Sequence, residues 1–594
     1  MQTSINWNLE TVFKGGIKGE DFDSTLKNLT KTVESLLARA DELPPLGQDD
    51  DAWAAMLLEL DALEPQLGDC WAYTHCLSCG NTADQEAART EARVAEVWGL
   101  FVRARVPIEN GLANSDSAVF NNFAAREDLA EIREGLSNIR RQGHLLLPLE
   151  QQALSEELSQ DGIHAWSHLY SRQSGKLQVE IDGEQLSTSQ AFNRFSGADQ
   201  PEERTRVFRA TAEAWSRDRD LWASVLTHLT GTRLTLNTKR GCHPLDDVLA
   251  SARMTRGSLD AMQEAIAMFR VELLPYLSGK AQLLGLDQLG WQDLRAPIKG
   301  ATVAHSWEDS VSFVLTHFKS AQEPLFQLAK QAFEESWIEA EDRPHKRAGG
   351  WCTSIPKARQ SRIFMTHGGS FNSTVTLAHE LGHAYHNSVL WNLPATNRRV
   401  PMTLAETASV FAENVVRDAA LESAKTNGDR MAMLDARLRS AVSFLMDIPT
   451  RFDFENGLYA LRAKGELNPD DLDELMLSCQ KDNFCNSLRE WNPTFWSSKL
   501  HFFMSRRSFY NFPYSFGYLF SSLVYAMAKE EGPGFQARYV RLLQETGWRN
   551  AEDIAKDHLG LDLEKPETWL LAMDPVRKDL SAFAEMVPGL SLKN

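Results

Sequence analysis

The sequence predicts a mainly α-helical protein, on three observations. Apolar residues recur at helical spacing over long stretches, and strand-like alternation is confined to two short segments. The length of 594 residues suits several folding units or one large composite domain. Hydrophobic residues at 43% and charged residues at 24% match an ordinary globular chain able to bury a large core and line a deep cleft.

In chain order, Leu26, Leu29, Val33, Leu36 and Leu37 trace one helix, with Asp23 or Ser24 placed to cap it. Pro44-Pro45 and the acidic run Asp49-Asp50-Asp51 read as a connection. Val94, Val97, Trp98 and Phe101 trace a further helix. All these stripes read as core packing. Leu177, Val179 and Ile181 alternate with polar residues and run into Asp182-Gly183, a hairpin signal. The charged stretch from Asp199 to Arg204 marks a soft boundary. Ser361 to Thr366, containing Ile363-Phe364-Met365, reads as a second strand ending at His367-Gly368-Gly369. No repeat of fixed period and no low-complexity tract is evident.

Composition narrows the function classes. A formal net charge of −19 argues against nucleic acid as the main partner, because phosphate binding needs clustered Lys and Arg. No apolar run approaches the ~18 residues that span a bilayer, so no membrane partner is expected. The opening from Met1 to Trp7 lacks a basic segment followed by an apolar one, which reads as no secretory signal. Seven scattered cysteines, an odd number, fit a reduced chain and a cytoplasmic location. Cys76-x-x-Cys79, with Cys70 and His75 nearby, finds no second ligand pair at zinc-ribbon spacing and reads as buried thiols.

The segment with the clearest chemistry is His379-Glu380-Leu381-Gly382-His383. On a helix, residues four apart share a face, so both imidazoles can reach one metal ion. Zinc accepts imidazole nitrogen and tolerates an open position, and the intervening Glu380 can take a proton from a bound water. Ser373 or Thr374 is placed to cap this helix. A third ligand is needed. His386 continues the same face but lies about 10 Å along the axis from His379, too far for one straight helix to wrap around a tetrahedral ion. The zinc-peptidase pattern that takes a third His six residues after the second, past a Gly turn, fails because His386 and Val389 occupy those positions. Glu406 is the better candidate, on a helix that restarts after Pro394 and Pro401. Thr403-x-x-Glu406 equally fits a capping box, and local geometry leaves the two open. Glu413, two turns on, reads as a partner behind the ligands or as a surface charge.

Taken together, the His379–His383 motif followed by Glu406-Thr407-Ala408-Ser409-x-Phe411-x-Glu413 resembles the oligoendopeptidase F branch of the thimet-oligopeptidase-like zinc metallopeptidases. Arg347-Ala348-Gly349-Gly350-Trp351-Cys352, Thr238-Lys239-Arg240-Gly241, Arg451-Phe452-x-Phe454-Glu455 and the opening Trp7-Asn8-Leu9 agree with it. The resemblance spans nearly the whole chain, more strongly from about Ala191. It implies a large, two-lobed helical metallopeptidase with a deep substrate channel and a small β element beside the active-site helix. It divides the chain into an N-terminal helical region, residues 1–190, forming part of the channel wall, and a catalytic domain, 191–594. It implies one Zn2+ held by His379, His383 and Glu406, with Glu380 as general base and short peptides as substrates. It also implies a C-terminal His followed by tyrosines, here His501, Tyr510 and Tyr514, with Tyr518 third. Such groups can donate hydrogen bonds to the developing oxyanion. Pro513, Phe512 and Arg506-Arg507 depart from the branch's pattern.

The expected activity is zinc-dependent hydrolysis of internal bonds in short, unstructured peptides, with the Ile363-Phe364-Met365 strand pairing with the substrate backbone. The alternatives are a zinc exopeptidase of similar fold and a catalytically silent peptide-binding protein. Oligomeric state is open.

Overall fold

A computed structural model describes residues 4–298 and 304–591, apart from 144 and 146. Helices dominate, as the periodicity predicts. Among the described residues the named strands form a two-stranded hairpin and a three-stranded sheet. No described helix is long and apolar enough to cross a membrane.

The chain divides into two compact units, each assembled from separate stretches: Met1–Leu146, Val303–Ala419 and Val524–Gly560 in the first, Leu147–Thr302, Ala420–Leu523 and Leu561–Asn594 in the second. Residue 190 falls inside the second unit, so the 1–190 and 191–594 regions are not the compact units.

In the first unit, helices Glu20–Asp41, Asp50–Gly80 and Gln85–Asn114 bury the apolar stripes seen in the sequence, including Leu26, Leu29, Val33, Leu36, Val94 and Phe101. The first helix starts at Glu20, a few residues before the expected caps, after Gly19. Asp49 and Asp84 cap the other two by accepting from backbone N–H groups of their first turns. All seven cysteines are free thiols, and Cys70, Cys76 and Cys79 are buried as expected.

The first unit also holds the sheet. Gln360–Phe364 is its central strand, with Ile338–Glu339 parallel on one side and Trp351–Ile355 antiparallel on the other. Ile363 and Phe364 are paired on both sides, with Ile338 and Glu339 across one edge and Cys352 and Trp351 across the other. Met365 N–H already donates to Glu339 O at 2.9 Å. The expectation that this strand pairs with a substrate is therefore overturned, since a central strand has no free ladder groups. The longer edge strand is Trp351–Ile355, absent from the sequence reading because its alternation is broken. Arg362, fully buried, ties the sheet to the start of the chain by donating to Asn8 O at 2.9 Å and Thr11 Oγ1 at 2.7 Å. Trp7 packs against both Trp351 and Phe364, with ring centroids 6.0 and 5.7 Å away.

In the second unit the hairpin forms where predicted, Gln178–Ile181 against Glu184–Ser187. Asp182 and Gly183 have φ of 55° and 80°, the positive values that a two-residue turn of this hand needs. Ser187 then starts the next helix with a capping box closed by Gln190. The unit's main core gathers Tyr170, Trp215, Trp222, Phe454, Trp496, Phe502 and Phe503.

Candidate metal centre

The His-Glu-x-x-His segment lies on helix Phe371–Leu390. Leu377, Ala378, Leu381, Ala384 and Tyr385 are buried around it, which fixes the helix's rotation and leaves His379 and His383 half-buried on one face. Ser370, not Ser373 or Thr374, precedes the first turn. Ser373 Oγ instead accepts from Gly368 N–H at 3.0 Å, and Thr374 joins Ser310 and His305 in a buried polar cluster.

Glu406 follows the single turn Met402–Ala405 and immediately precedes helix Thr407–Ser423. That break turns its carboxylate toward the histidines. His379 Nε2 and His383 Nε2 are 3.1 Å apart, and Glu406 Oε2 is 3.4 Å from each. Donors around a tetrahedral zinc at ~2.0–2.1 Å lie about 3.3 Å apart, so these three atoms outline one face of such a site. Among the described residues this is the one group of three metal-ligating side chains gathered so closely. Ser409 Oγ donates to Glu406 Oε2 at 2.6 Å.

His379 is oriented from behind. Its Nδ1 lies 2.6 Å from Glu413 Oε1, and Arg417 contacts the other Glu413 oxygen at 2.9 Å. A proton on Nδ1 leaves Nε2 as a lone pair facing the site. Burial pushes the Glu413 carboxyl up, but Arg417 and His379 prevail and hold it down at about 2. Burial likewise opposes charge on His379, and the Glu413 carboxylate outweighs it and raises its pKa, so that a metal at Nε2 would take the place of the second proton. Burial and the neighbouring His379 push His383 below its ordinary value. The sequence left Glu413 open between partner and surface charge; in the structure it is a partner.

Gly382 explains how the two helices come together. A Cβ there would sit 2.5 Å from Ala408 O and 2.6 Å from Ser409 Cα. Only a hydrogen at that position lets the backbone carrying Glu406 and Glu413 approach the histidine helix. The sequence reading missed this, as it missed Ser409 and Arg417. The detectable signals were a glycine inside a helix between two candidate ligands, and an Arg one turn after Glu413.

Glu380 is only 4% exposed, and its Oε2 has no hydrogen-bond partner among the described residues. Burial pushes its carboxyl up to about 7. Gly350 approaches the other oxygen, so that a Cβ there would lie 3.3 Å from Glu380 Oε1. Glu380 borders a cavity of about 300 Å³ whose walls include Gly350, Trp351, His379, His383 and Glu406. An orphaned buried carboxylate oxygen beside three converging donors is what a site for a metal and a polar ligand requires.

His386 stands apart from this group, as helix geometry predicted. It is buried, and its Nε2 lies 2.8 Å from Thr546 Oγ1, whose own proton goes to Leu543 O. His501, Tyr510 and Tyr514 lie in the second unit and form a cluster there. Ring centroids are 4.7 Å apart for His501–Tyr510 and 5.8 Å for Tyr510–Tyr514.

Residues 307–575 match the model of peptidase family M3, and residues 112–178 match that of oligopeptidase F. An oligoendopeptidase F homolog of Lactococcus lactis subsp. lactis (strain IL1403) is 24% identical over 340 residues, covering 55% of this chain and 54% of that protein. A group B oligopeptidase of Streptococcus agalactiae serotype III is 20% identical over 273 residues, 45% of each chain. The match thus spans about half the length of these relatives. In fold, the chain is similar to a crystal structure from Chlamydophila abortus, with TM-score 0.85, 16% identity and 98% of both chains covered. It is also similar to oligoendopeptidase-F from Enterococcus faecium, with TM-score 0.68, 17% identity, and 95% of this chain and 99% of that one covered.

Proposed function

We propose that this chain, a relative of the oligoendopeptidase F proteins of peptidase family M3, is a zinc-dependent endopeptidase acting on short, unstructured peptides. The observation that carries the reading is the convergence of His379, His383 and Glu406 beside the orphaned Oε2 of Glu380. The family match across the motif supports it.

In this reading His379 Nε2, His383 Nε2 and Glu406 Oε2 hold the zinc. When bound, the ion supplies Lewis-acid polarisation of the water and of the scissile carbonyl. Glu380 takes the proton of the attacking water at Oε2 and returns it to the leaving amine. Glu413 and Arg417 keep His379 facing the metal. The edge strand Trp351–Ile355, which contributes Trp351 and Cys352 to the cavity wall, is the element suited to pair with a peptide backbone. The resemblance assigns His501 and a tyrosine, Tyr510 or Tyr514, to support of the oxyanion. The catalytic region lies within 191–594, with residues 1–190 supporting it.

The test uses the zinc-loaded chain and a set of peptides blocked at both ends, with and without a chelator. Internal fragments that vanish with chelator and return with added zinc are the expected result. Intact blocked peptides, with single residues released only from unblocked ones, would favour an exopeptidase. No cleavage of either set would leave a peptide-binding protein.

A further inference from the structure

A second cluster of reactive side chains stands in the first unit, apart from the metal ligands, on the Cys76-x-x-Cys79 stretch. Cys79 Sγ lies 3.5 Å from His75 Nε2, one turn back on helix Asp50–Gly80. His75 Nδ1 lies 2.8 Å from Glu91 Oε1, on helix Gln85–Asn114. Arg347 reaches the same sulfur from a third stretch of chain, with Nη1 at 3.7 Å, and its backbone N–H donates to Cys79 O at 3.0 Å.

A thiol, an imidazole and a carboxylate in line form the arrangement that activates a nucleophile. With Glu91 accepting from Nδ1, His75 can hold a second hydrogen at Nε2, facing the sulfur, and that hydrogen is the one Cys79 gives up. Trp71 stacks on the imidazole with centroids 4.9 Å apart, and Trp351 flanks it at 5.0 Å. Burial raises the pKa of Cys79, but His75 and Arg347 outweigh it and bring it below the ordinary thiol value. Burial raises the other six thiols. The Cys79 sulfur is fully buried, whereas the His75 and Glu91 side chains are 20% and 29% exposed and Arg347 is exposed. The sulfur thus lies directly beneath surface side chains, closed to bulky reagents and near enough to solvent for a small one.

We propose that Cys79 is a modification site for hydroperoxides, and that its oxidation frees Arg347 from the sulfur and loosens the segment that feeds the wall of the metal cavity. The Cys79 thiolate attacks the terminal oxygen of the hydroperoxide, so that an S–O bond forms and the O–O bond breaks. The sulfur gives up two electrons and becomes a sulfenic acid, taking the hydroxyl whole from the peroxide. The leaving alkoxide, or hydroxide where the oxidant is hydrogen peroxide, takes the Nε2 proton of His75 and departs as an alcohol or as water. Thiolate and imidazolium are both neutralised, and Arg347 loses the anion it faces. Arg347 to Gly350 runs directly into the edge strand, and Gly350, Trp351 and Cys352 line the cavity.

The test treats the full chain with hydrogen peroxide, traps sulfenic acid with a cyclic 1,3-diketone and compares the seven cysteines by peptide mass mapping. Cys79 should be trapped first, and His75→Gln should slow its trapping about tenfold or more. Earlier trapping of any other cysteine, or none at Cys79, overturns the proposal in the wild type alone, even should His75→Gln not fold. Unchanged trapping in a folded His75→Gln overturns it equally. Amide hydrogen exchange reads the second half. Exchange over residues 347–352 should speed up when the wild type is oxidised and should not respond to peroxide in Cys79→Ala. Unaltered exchange after full oxidation of Cys79 overturns the link to the cavity. Neither measurement needs turnover, so the outcome is independent of the peptidase reading.

Discussion

Glu413 Oε1 lies 2.6 Å from His379 Nδ1, on the opposite side of the imidazole from Glu406. Such a contact sets ring orientation and tautomer, and its loss typically weakens metal affinity ~10–100-fold. Glu413→Ala is expected to show that loss in chelator-competition titrations with zinc. Glu413→Gln should be milder, because its amide oxygen still accepts from Nδ1. Wild-type affinity in Glu413→Ala would remove the orienting role.

Glu380 shares the site without belonging to the donor triangle. Glu380→Gln is nearly isosteric and leaves His379, His383 and Glu406 in place. It should bind zinc with unchanged stoichiometry and lose turnover by ~10²–10⁴-fold, the usual range for general acid–base catalysis. Metal content by elemental analysis and peptide cleavage by chromatography separate the two effects. Retained turnover would assign the base elsewhere.

Gly382 sets the spacing of the two site helices. Gly382→Ala places a methyl group 2.5 Å from Ala408 O, a backbone atom with little freedom to yield. The overpacking should destabilise the chain by ~1–3 kcal/mol and pull Glu406 from the histidines. A lower melting temperature together with weaker zinc binding is the expected pair of results. An unchanged melt would show that the helices can separate freely.

Asp69 supplies a pH test away from the metal. It is 5% exposed, and burial pushes its carboxyl up to about 7 despite the Lys357 N–H at 3.4 Å. The folded state therefore holds this proton more tightly than the unfolded state, whose ordinary value is 3.8. Its contribution to stability is fully present below that ordinary value and is lost as pH rises through about 7. Asp69→Asn has no charge to bury, so its melting temperature relative to wild type should rise between mildly acidic and mildly alkaline buffer. A difference that stays flat or falls across that range would contradict the assignment.

Much of the fold was legible because its signals are local. A 3.6-residue repeat reports which face of a helix is buried, and Asp182-Gly183 specifies its turn through backbone conformation alone. The spacing of His379 and His383 belongs to the same class, since any helix places them together, and His386 could be set aside by the same arithmetic. Glu406 was different. Locally it was as good a capping residue as a ligand, and only the wider resemblance favoured it.

The sequence by itself determined the helical class, the histidine pair and the residue between them. The tertiary structure decided that Glu413 stands behind His379 rather than in solvent, that Gly382 permits the close crossing, and that Ile363 and Phe364 belong to a strand paired on both edges. It also decided that the compact units are interleaved along the chain, and that Asn511 lies within hydrogen-bond reach of both Arg451 and His501. The reason is the same in each case. These outcomes depend on contacts between stretches far apart in the chain, set by how helices and strands pack, and no periodicity within one stretch encodes which distant backbone will lie against it.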